Sequence, residues 1–311
     1  MLFPDSAIPA DLISDYLITA DGSALLRPVK TFEHNDKESI DNRINDYEKF
    51  IQRHPGIELF IFNVNLVEMT PYHPNSGLTA TADNGQSLNY FLRNKPTGLN
   101  FENLEINDFN DHLEKFFPSD HHWNIHGALE EYYKIYKMLS DAYSNLGPPA
   151  EIMSIKKLEG VDFLGAYARG SLYPIKPDAF EAAIYELPEF KIFYENQEIA
   201  LGKKAEYFNG DFSSDKYTNH YREFYGRGTR SLLYQFRNNE RNLLIIASSH
   251  ALCIQDLRAS HFNKTLVVDY RSSLLKEYSI DQIMEDYKMD AVLILAQPNI
   301  TYMSDEFKFY P

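Results

Sequence analysis

The chain has 311 residues, 44% hydrophobic and 24% charged, a composition typical of a soluble globular protein rather than a disordered one. This length is enough for one large α/β domain or two smaller ones, and we predict a single domain over residues 1–311. A formal charge of −15 argues against a nucleic-acid partner, because binding phosphate groups requires a basic surface. The single cysteine, Cys253, excludes an internal disulfide.

The chain shows no targeting segment. Its first residues, MLFPDSAIPADLISDY, have neither a basic n-region nor an apolar core run, so we predict no signal peptide within this sequence. No run of about 18 apolar residues is present, which argues against an ordinary transmembrane helix. Two interpretations stay open, a cytoplasmic protein or a chain whose targeting segment has been removed.

The first predicted elements are a helix and a strand. In ESIDNRINDYEKFIQRHPG, apolar residues recur at helical spacing from Ile40 to Ile51. The following IELFIFNVNLVEM, residues 57–69, predicts a strand buried on both faces, and a helix followed by such a strand begins an alternating α/β sheet. Residues 70–110, rich in Asn, Pro, Gly and Thr, predict a long loop with little regular structure.

The middle of the chain changes character twice. HGALEEYYKIYKMLSDAYSNLG predicts an amphipathic helix with Asn124 as its N-cap, ended by Gly147 and Pro148. Residues 160–215 are aromatic and interrupted by Pro and Gly, with short runs such as FKIFY and QEIAL. We interpret this segment as an inserted small β subdomain or flap.

The last third alternates strands and helices. NLLIIAS (242–248), KTLVVDY (264–270) and DAVLILA (290–296) are predicted buried strands, separated by the predicted helices SHALCIQDLRASHF and YSIDQIMEDYKM. Parallel strands joined through helices imply right-handed crossovers. The sequence therefore predicts a parallel sheet in a three-layer α/β/α domain.

Candidate site residues lie where strands end, because ligands bind at the carboxyl ends of parallel strands. Ser248 and Ser249 follow a buried strand at the start of a helix, where backbone N–H groups would meet a developing oxyanion. A serine nucleophile needs a base held by a third group, and Asp120 and His122 fall on the same side if their segment is extended. The competing interpretation is a simple helix N-cap, and the glycines of G-x-S-x-G are missing.

The histidines of FFPSDHHWNIHG also suggest a metal site. His122 and His126 could share a helical face, with Asp120 as a third ligand. Against this, H-E-x-x-H is absent and no cysteine supports the site. His121 is predicted to point away from His122 as a structural residue, and Trp123 is predicted to be a packing residue.

Four segments carry a resemblance to a known family. HHWNIHGA, VDFLGAYARG (161–170), SSDKYTNHYREFYGRG (213–228) and NLLIIASSHA followed by VVDYR occur in order over roughly residues 100–300. In order and spacing they resemble the DHHW family, which belongs with the SGNH-hydrolase-like proteins. The alginate O-acetylation proteins are also members of that larger group. The resemblance implies a flavodoxin-like α/β/α core.

The resemblance also implies a catalytic triad. Carried over residue by residue, Asp120 orients His122, His122 is the base and Ser249 attacks the substrate. Relatives commonly have K-D-S-Y-A-N-S at the nucleophile where this chain has ASSHA, so Ser248 stays an alternative nucleophile. Arg271 and Asn299, each after a predicted strand, are oxyanion or substrate-binding candidates by position alone.

The implied function is serine-dependent acyl transfer on esters, as O-acetylation or deacetylation of an extracytoplasmic carbohydrate polymer. It needs an acyl donor but no cofactor and no metal. The resemblance further implies an extracytoplasmic or cell-surface location and a membrane-bound acyltransferase partner. Two alternatives stay open: a catalytically inactive glycan-binding or assembly protein, and a metal-dependent hydrolase using the Asp/His cluster.

Overall fold

The computed structural model describes residues 7–9, 16–226, 231–236 and 239–303. Most of the N-terminal stretch searched for a signal peptide lies outside the described residues, as do the last two residues of the 213–228 segment. Within the described residues, no helix combines the length and apolar character needed to cross a bilayer.

The strands are short. In chain order they are β1 (Ala7–Pro9), β2 (Leu17–Thr19), β3 (Leu25–Leu26), β4 (Glu58–Val64), β5 (Asn100–Leu104), β6 (Ile152–Lys157), β7 (Glu181–Tyr185), β8 (Lys191–Tyr194), β9 (Gln197–Ile199), β10 (Ser231–Gln235), β11 (Asn242–Ala247), β12 (Lys264–Asp269) and β13 (Ala291–Ala296).

Two helices, α1 and α4, are much longer than the others. In chain order the α-helices are α1 (His34–Arg53), α2 (Gln86–Asn94), α3 (Phe109–Lys115), α4 (Ile125–Ala142), α5 (Ala166–Ser171), α6 (Lys204–Asn209), α7 (His220–Tyr225), α8 (Gln255–Ala259), α9 (Ser273–Glu277), α10 (Ile280–Tyr287) and α11 (Pro298–Thr301). Three 3₁₀ helices cover Val67–Met69, Ser76–Leu78 and Ser249–Leu252.

Eight strands form the main sheet, in the spatial order β5-β4-β13-β11-β12-β10-β8-β9. The first five are parallel, and β10, β8 and β9 continue the sheet with antiparallel pairing. If the parallel strands are counted from β11 through β12, β13, β4 and β5, their spatial order is 2-1-3-4-5, which is flavodoxin-like. The predicted α/β/α class is therefore confirmed, and β4 and β5, which come first in the chain among these five strands, occupy the last two positions of that order.

Alternate residues of the central strands face opposite helical layers. Leu243 and Ile245 of β11 belong to the core formed with α4, whereas Leu244 and Ile246 belong to the core formed with α1, α2 and α10. All six residues of β11 are buried, so the strand is covered on both sides. This two-sided burial explains why its sequence is a continuous apolar run instead of an alternating one.

Helix α4 begins as predicted and approaches its neighbours closely. The Asn124 side chain accepts hydrogen bonds from the N–H groups of His126 (2.9 Å) and Gly127 (3.2 Å), which confirms the predicted N-cap. A Cβ on Gly127 would lie 2.4 Å from the carbonyl oxygen of Lys115, so only glycine fits at this contact with the end of α3.

Two predictions about the first half of the chain were wrong. The strand predicted over 57–69 ends at Val64, and its last three residues form a 3₁₀ helix. The predicted loop over 70–110 contains α2 and β5. Strand β5, sequence NFENL, is polar because it lies at the edge of the sheet, and its pairing with β4 outweighs its low strand propensity.

The aromatic segment 160–215 forms the predicted short strands. FKIFY and QEIAL contain β8 and β9, which extend the main sheet through β10. Strand β7 instead pairs with β6 in a separate two-stranded sheet. The division of the chain into domains stays a prediction.

Candidate active site

Asp120 and His122 lie in a tight turn between α3 and α4. The turn is closed by an antiparallel bridge between Phe116 and Trp123 and by the hydrogen bond from Phe117 N–H to the His122 carbonyl, 3.1 Å long. The segment is therefore not extended as predicted, although the two side chains do meet. Trp123 is fully buried, which confirms its predicted packing role.

The structure brings together Asp120, His122 and Ser249. His122 Nδ1 lies 2.8 Å from Asp120 Oδ1, and His122 Nε2 lies 2.8 Å from Ser249 Oγ. Because a carboxylate accepts hydrogen bonds, Nδ1 carries the proton and Nε2 accepts from the Ser249 hydroxyl. A base at this position can remove the hydroxyl proton.

Burial differs along this hydrogen-bonded series. Asp120 is 3% exposed and His122 is 8% exposed, whereas Ser249 is partly exposed. The carboxylate is thus shielded from water while the hydroxyl is accessible to a substrate. This is the order of burial that a nucleophile, its base and an orienting acid require.

The electrostatic environment keeps Asp120 charged and His122 neutral. Burial alone would raise the pKa of Asp120, but the adjacent His122 and His121 hold it well below its usual value. Burial, helped by the nearby His121 ring, lowers the pKa of His122 to about 4. At neutral pH the imidazole is therefore free to accept a proton.

Asp120 is held by the VDFLGAYARG segment. The Ala166 N–H donates to Asp120 Oδ2 at 2.6 Å, and the Gly165 N–H donates to Ser119 Oγ at 2.7 Å. A Cβ on Gly165 would lie 2.3 Å from the Cβ of Asp120. The close approach of this backbone therefore requires glycine and gives the segment a positioning role that its sequence pattern did not reveal.

A second acidic group supports the same turn. Asp178 Oδ2 accepts hydrogen bonds from the N–H of Ser119 at 3.0 Å and from its hydroxyl at 2.5 Å. Burial raises the pKa of Asp178 to about 6. By binding Ser119, this carboxyl helps to hold the turn in which the neighbouring Asp120 lies.

His121 lies beside His122, contrary to the prediction that it points away. Its Nδ1 is 3.0 Å from Asp120 Oδ1, and the two imidazole rings are 3.9 Å apart between centroids. The difference follows from the turn, because the alternation of side chains holds only for extended backbone. His121 is thus part of the site.

Ser248 has a different partner from Ser249. The Nε2–H of His250 donates to the His121 carbonyl at 3.0 Å, so His250 Nδ1 accepts from the Ser248 hydroxyl at 3.2 Å. Ser248 is buried, and its hydroxyl has no recorded bond to His122 among the described residues. Of the two serine hydroxyls, Ser249 is the one adjacent to the base.

The backbone after β11 places N–H groups near the Ser249 hydroxyl. Ser248 has extended backbone and precedes the 3₁₀ helix that begins at Ser249. The first N–H groups of a helix have no partner within it, so those of Ser249 and His250 are oxyanion-donor candidates. This places the donors at the carboxyl end of β11, where the spatial order of the parallel strands changes direction.

A buried ion pair joins the two chain segments that carry the site. Arg258 Nε donates to Glu131 Oε1 at 2.6 Å, and its Nη1 donates to the carbonyls of Ala251 and Cys253 at 2.9 and 3.1 Å. Both charged side chains are fully buried. Arg258 thereby fastens the loop after Ser249 to α4, a contact that the sequence did not predict.

Tyr221 of α7 covers His122. The two rings stack with centroids 4.2 Å apart and planes 20° apart, and the Tyr221 hydroxyl donates to the Ser249 carbonyl at 3.3 Å. Tyr221 belongs to the 213–228 segment, which carries part of the family resemblance. That resemblance was the one sequence signal for this residue, and no role was predicted for it.

Arg271 and Asn299 are the two oxyanion or substrate-binding candidates chosen by position. The Arg271 guanidinium donates to both carboxylate oxygens of Asp269, at 2.8 and 2.7 Å. Asn299 is exposed on α11. Within the described ranges, no hydrogen bond links either side chain to Ser249.

The predicted metal ligands are only partly brought together. His126 is 3.1 Å from Glu181, with half of its side chain exposed. The group that could hold an ion is instead Asp120, His121 and His122, whose ligand atoms lie within 4.8 Å of one another. Both ring nitrogens of His122 already have partners in this group and in Ser249.

Sequence comparison finds no relatives: no protein-family model and no curated protein matches this chain. Solved structures do match. Bacillus cereus PatB1 with a sulfonyl adduct aligns with a TM-score of 0.70 at 17% identity, covering 98% of both chains. A DHHW family protein from Eubacterium siraeum aligns with a TM-score of 0.69 at 16% identity, covering 96% of this chain and 95% of the other.

A second PatB1 structure aligns with a TM-score of 0.68 at 17% identity, covering 97% of this chain and 99% of that one. The chain therefore has the fold of PatB1 and of a DHHW family protein over nearly its whole length. The relation predicted from the sequence segments is confirmed at the level of fold.

Proposed function

We propose that this protein is a serine-dependent acyl-transfer enzyme that acts on ester substrates. The observation that carries the proposal is the series of two 2.8 Å hydrogen bonds joining Asp120, His122 and Ser249. A neutral imidazole between a buried carboxylate and an accessible hydroxyl is the arrangement that activates serine.

The reaction begins at Ser249. His122 Nε2 takes the hydroxyl proton as Oγ attacks the ester carbonyl, and Asp120 stabilises the resulting imidazolium. The oxyanion forms near the N–H groups of Ser249 and His250. When the tetrahedral intermediate collapses, the C–O bond to the leaving alcohol breaks, and His122 returns its proton to that oxygen.

The second half-reaction reverses these roles. His122 deprotonates either water or an alcohol of an acceptor, whose oxygen attacks the acyl-serine carbonyl. The bond from the acyl carbon to Ser249 Oγ then breaks, and His122 returns the proton to Oγ. Water gives an esterase, and a carbohydrate hydroxyl gives an O-acyltransferase. The choice depends on acceptor binding and on exclusion of water from the acyl-serine.

The substrate we propose is an extracytoplasmic carbohydrate polymer that gains or loses O-acetyl groups. The support is the sequence resemblance to the DHHW family together with the shared fold. The same resemblance supports a cell-surface or otherwise extracytoplasmic location. It also supports a membrane-bound acyltransferase that supplies the acyl donor.

Hydrolysis of 4-nitrophenyl acetate tests the proposal. We expect Ser249→Ala and His122→Ala to lower kcat/KM by at least about a hundredfold. Ser248→Ala is the matched control and should stay within about threefold of wild type, because its hydroxyl bonds to His250. Each variant is checked for folding by circular dichroism.

Assays with and without a chelator distinguish the serine mechanism from the metal-dependent alternative. In that alternative, Asp120, His121 and His122 would hold the ion. Activity that is lost with chelator and indifferent to Ser249→Ala would overturn the serine mechanism.

A sulfonyl fluoride tests the nucleophile without any acceptor, a probe suggested by the sulfonyl adduct of PatB1. Phenylmethylsulfonyl fluoride should add once per chain, on the peptide that contains Ser249. His122→Ala should slow the labelling, because the base is then missing. Wild-type protein that is neither labelled nor active would support the inactive glycan-binding alternative.

A further inference from the structure

A large cleft has a lining that includes none of Asp120, His122 and Ser249. It has a volume of about 620 Å³ and is bounded by β7, by the segment before β8 and by α6 and α7. Its walls are mainly apolar, with aromatic rings among them, and the lining includes Ile184, Leu187, Phe190, Phe208 and Phe224. This volume is in the range of small-molecule binding sites, roughly 300 to 1,000 Å³.

A polar cluster forms part of the lining of this cleft. Lys204 Nζ donates to Asp256 Oδ2 at 2.9 Å and to the Tyr185 hydroxyl oxygen at 3.2 Å. The Tyr185 hydroxyl donates to Asp256 Oδ1 at 2.8 Å. Lys204 lines the cleft, and about a third of its side chain is exposed.

A second cavity meets the first at this cluster. It has a volume of about 250 Å³, and both cavities are lined by Phe190, Lys204, Tyr225 and Asp256. The two cavities therefore adjoin at Lys204 and Asp256.

Two buried polar groups in the second cavity have no partner. The Tyr234 hydroxyl and the Gln255 Nε2 group make no hydrogen bond within the part of the chain that the structure describes. The two residues are 0% and 3% exposed. Buried polar groups are nearly always paired, and both unpaired groups belong to residues that line one cavity, so the pair indicates a ligand.

Most of the polar groups in the two linings that can make a further hydrogen bond are donors. Both Asp256 oxygens already accept, from Tyr185 and from Lys204. The Gln255 amide has two N–H groups to donate, Lys204 has a third ammonium hydrogen, and the Tyr234 hydroxyl can donate as well. Lys156, which lines the outer cleft near the Phe208 ring, adds a positive charge. The acids of the two linings already have partners, because Asp256 pairs with Lys204 and Glu198 pairs with Lys191. The site thus favours an acceptor with negative charge.

We propose that the joined cavities bind a small monocarboxylate with an apolar, aliphatic or aromatic, body. The carboxylate bonds to Tyr234, Gln255 and Lys204, and the apolar body packs against the mainly apolar walls of the outer cleft. Asp120, His122 and Ser249 line neither cavity. The proposal therefore does not depend on the acyl-transfer function.

The probe for this site is 4-phenylbutyrate, with 4-phenylbutan-1-ol as a matched molecule that lacks the carboxylate. Isothermal titration calorimetry should show one 4-phenylbutyrate bound per chain and at least about tenfold weaker binding of the alcohol. Tyr234→Phe and Gln255→Met should each weaken 4-phenylbutyrate binding about tenfold. Tyr278→Phe, at an exposed position, should leave it unchanged.

Two further measurements separate this site from misfolding and from the triad. Tyr234→Phe should keep the Tm of the ligand-free protein, because its hydroxyl has no hydrogen bond to lose. Ser249→Ala should bind 4-phenylbutyrate as wild type does. The proposal is overturned if no saturable binding occurs, if both cavity variants bind normally, or if Ser249→Ala abolishes binding.

Discussion

His122 has a protonation state that is set by its surroundings, because burial and His121 lower its pKa to about 4. Protonation removes the base, so activity should disappear as the pH falls through this value. We expect kcat/KM for 4-nitrophenyl acetate to be level from neutral pH to about 5 and to reach half its plateau near pH 4. The pH profile checks this, and a half-plateau near pH 6.5, the value of an ordinary histidine, would contradict it.

Gly165 is the residue at which a single methyl group should do most harm to the site. A Cβ there would overlap Asp120, so Gly165→Ala should displace either the α5 start or the carboxylate. We expect a loss of about 1 to 3 kcal/mol in the free energy of unfolding and at least about a tenfold loss of kcat.

Gly56→Ala is the matched control for Gly165→Ala, because a Cβ at position 56 meets nothing within 4 Å. Urea unfolding and 4-nitrophenyl acetate hydrolysis are measured on both variants. Equal behaviour of the two would contradict the close packing at Gly165.

At the scale of elements, α7 acts on the site through one aromatic ring. Tyr221→Phe keeps the stacking on His122 and loses only the 3.3 Å hydrogen bond to the Ser249 carbonyl, whereas Tyr221→Ala loses both. We expect kcat within about threefold of wild type for the first variant and at least about tenfold lower for the second. Equal kcat values would show that the ring does not position His122.

The buried ion pair between Glu131 of α4 and Arg258 of α8 can be tested in a similar way. Arg258→Met leaves Glu131 buried and unpaired, and we expect it to lower the free energy of unfolding by about 3 to 5 kcal/mol. Removing both charges, in Arg258→Met with Glu131→Met, should recover part of that stability. Urea unfolding measures it, and a double variant less stable than Arg258→Met would be inconsistent with this account.

Kinetics of the same variants report on the loop after Ser249. The double variant still lacks the bonds from Arg258 to the carbonyls of Ala251 and Cys253. Its kcat should therefore stay below that of wild type even where its stability recovers. A purely structural role would restore both.

The elements that could be predicted from the sequence are those whose pattern is local. β11 and β13 are continuous apolar runs and were found, whereas β5 was missed because its strand character comes from pairing with β4. Asp120, His122 and Ser249 were candidates from their positions before a helix and after a strand, the family resemblance supported them, and the structure brings them within hydrogen-bond distance. Gly165, Tyr221 and Arg258 were missed because their roles arise from contacts with residues far away in the chain.

At the scale of the whole molecule, the net charge of −15 should affect which esters are accepted. A negative field repels anionic substrates, and salt screens that repulsion. We expect kcat/KM for the anionic 4-acetoxybenzenesulfonate to rise between about 10 mM and about 500 mM NaCl, and that for neutral 4-nitrophenyl acetate to stay level. A parallel response of both esters to salt would argue against long-range repulsion.

The order of the main sheet determines when during synthesis the site can form. Strand β13 lies between β4 and β11, so the segment that carries His122 and the segment that carries Ser249 belong to one sheet only after the last strand has inserted. Contacts between residues so distant in sequence form late and slowly. In a growing chain Asp120, His122 and Ser249 therefore come together only after β13 has been made, as a late event of folding.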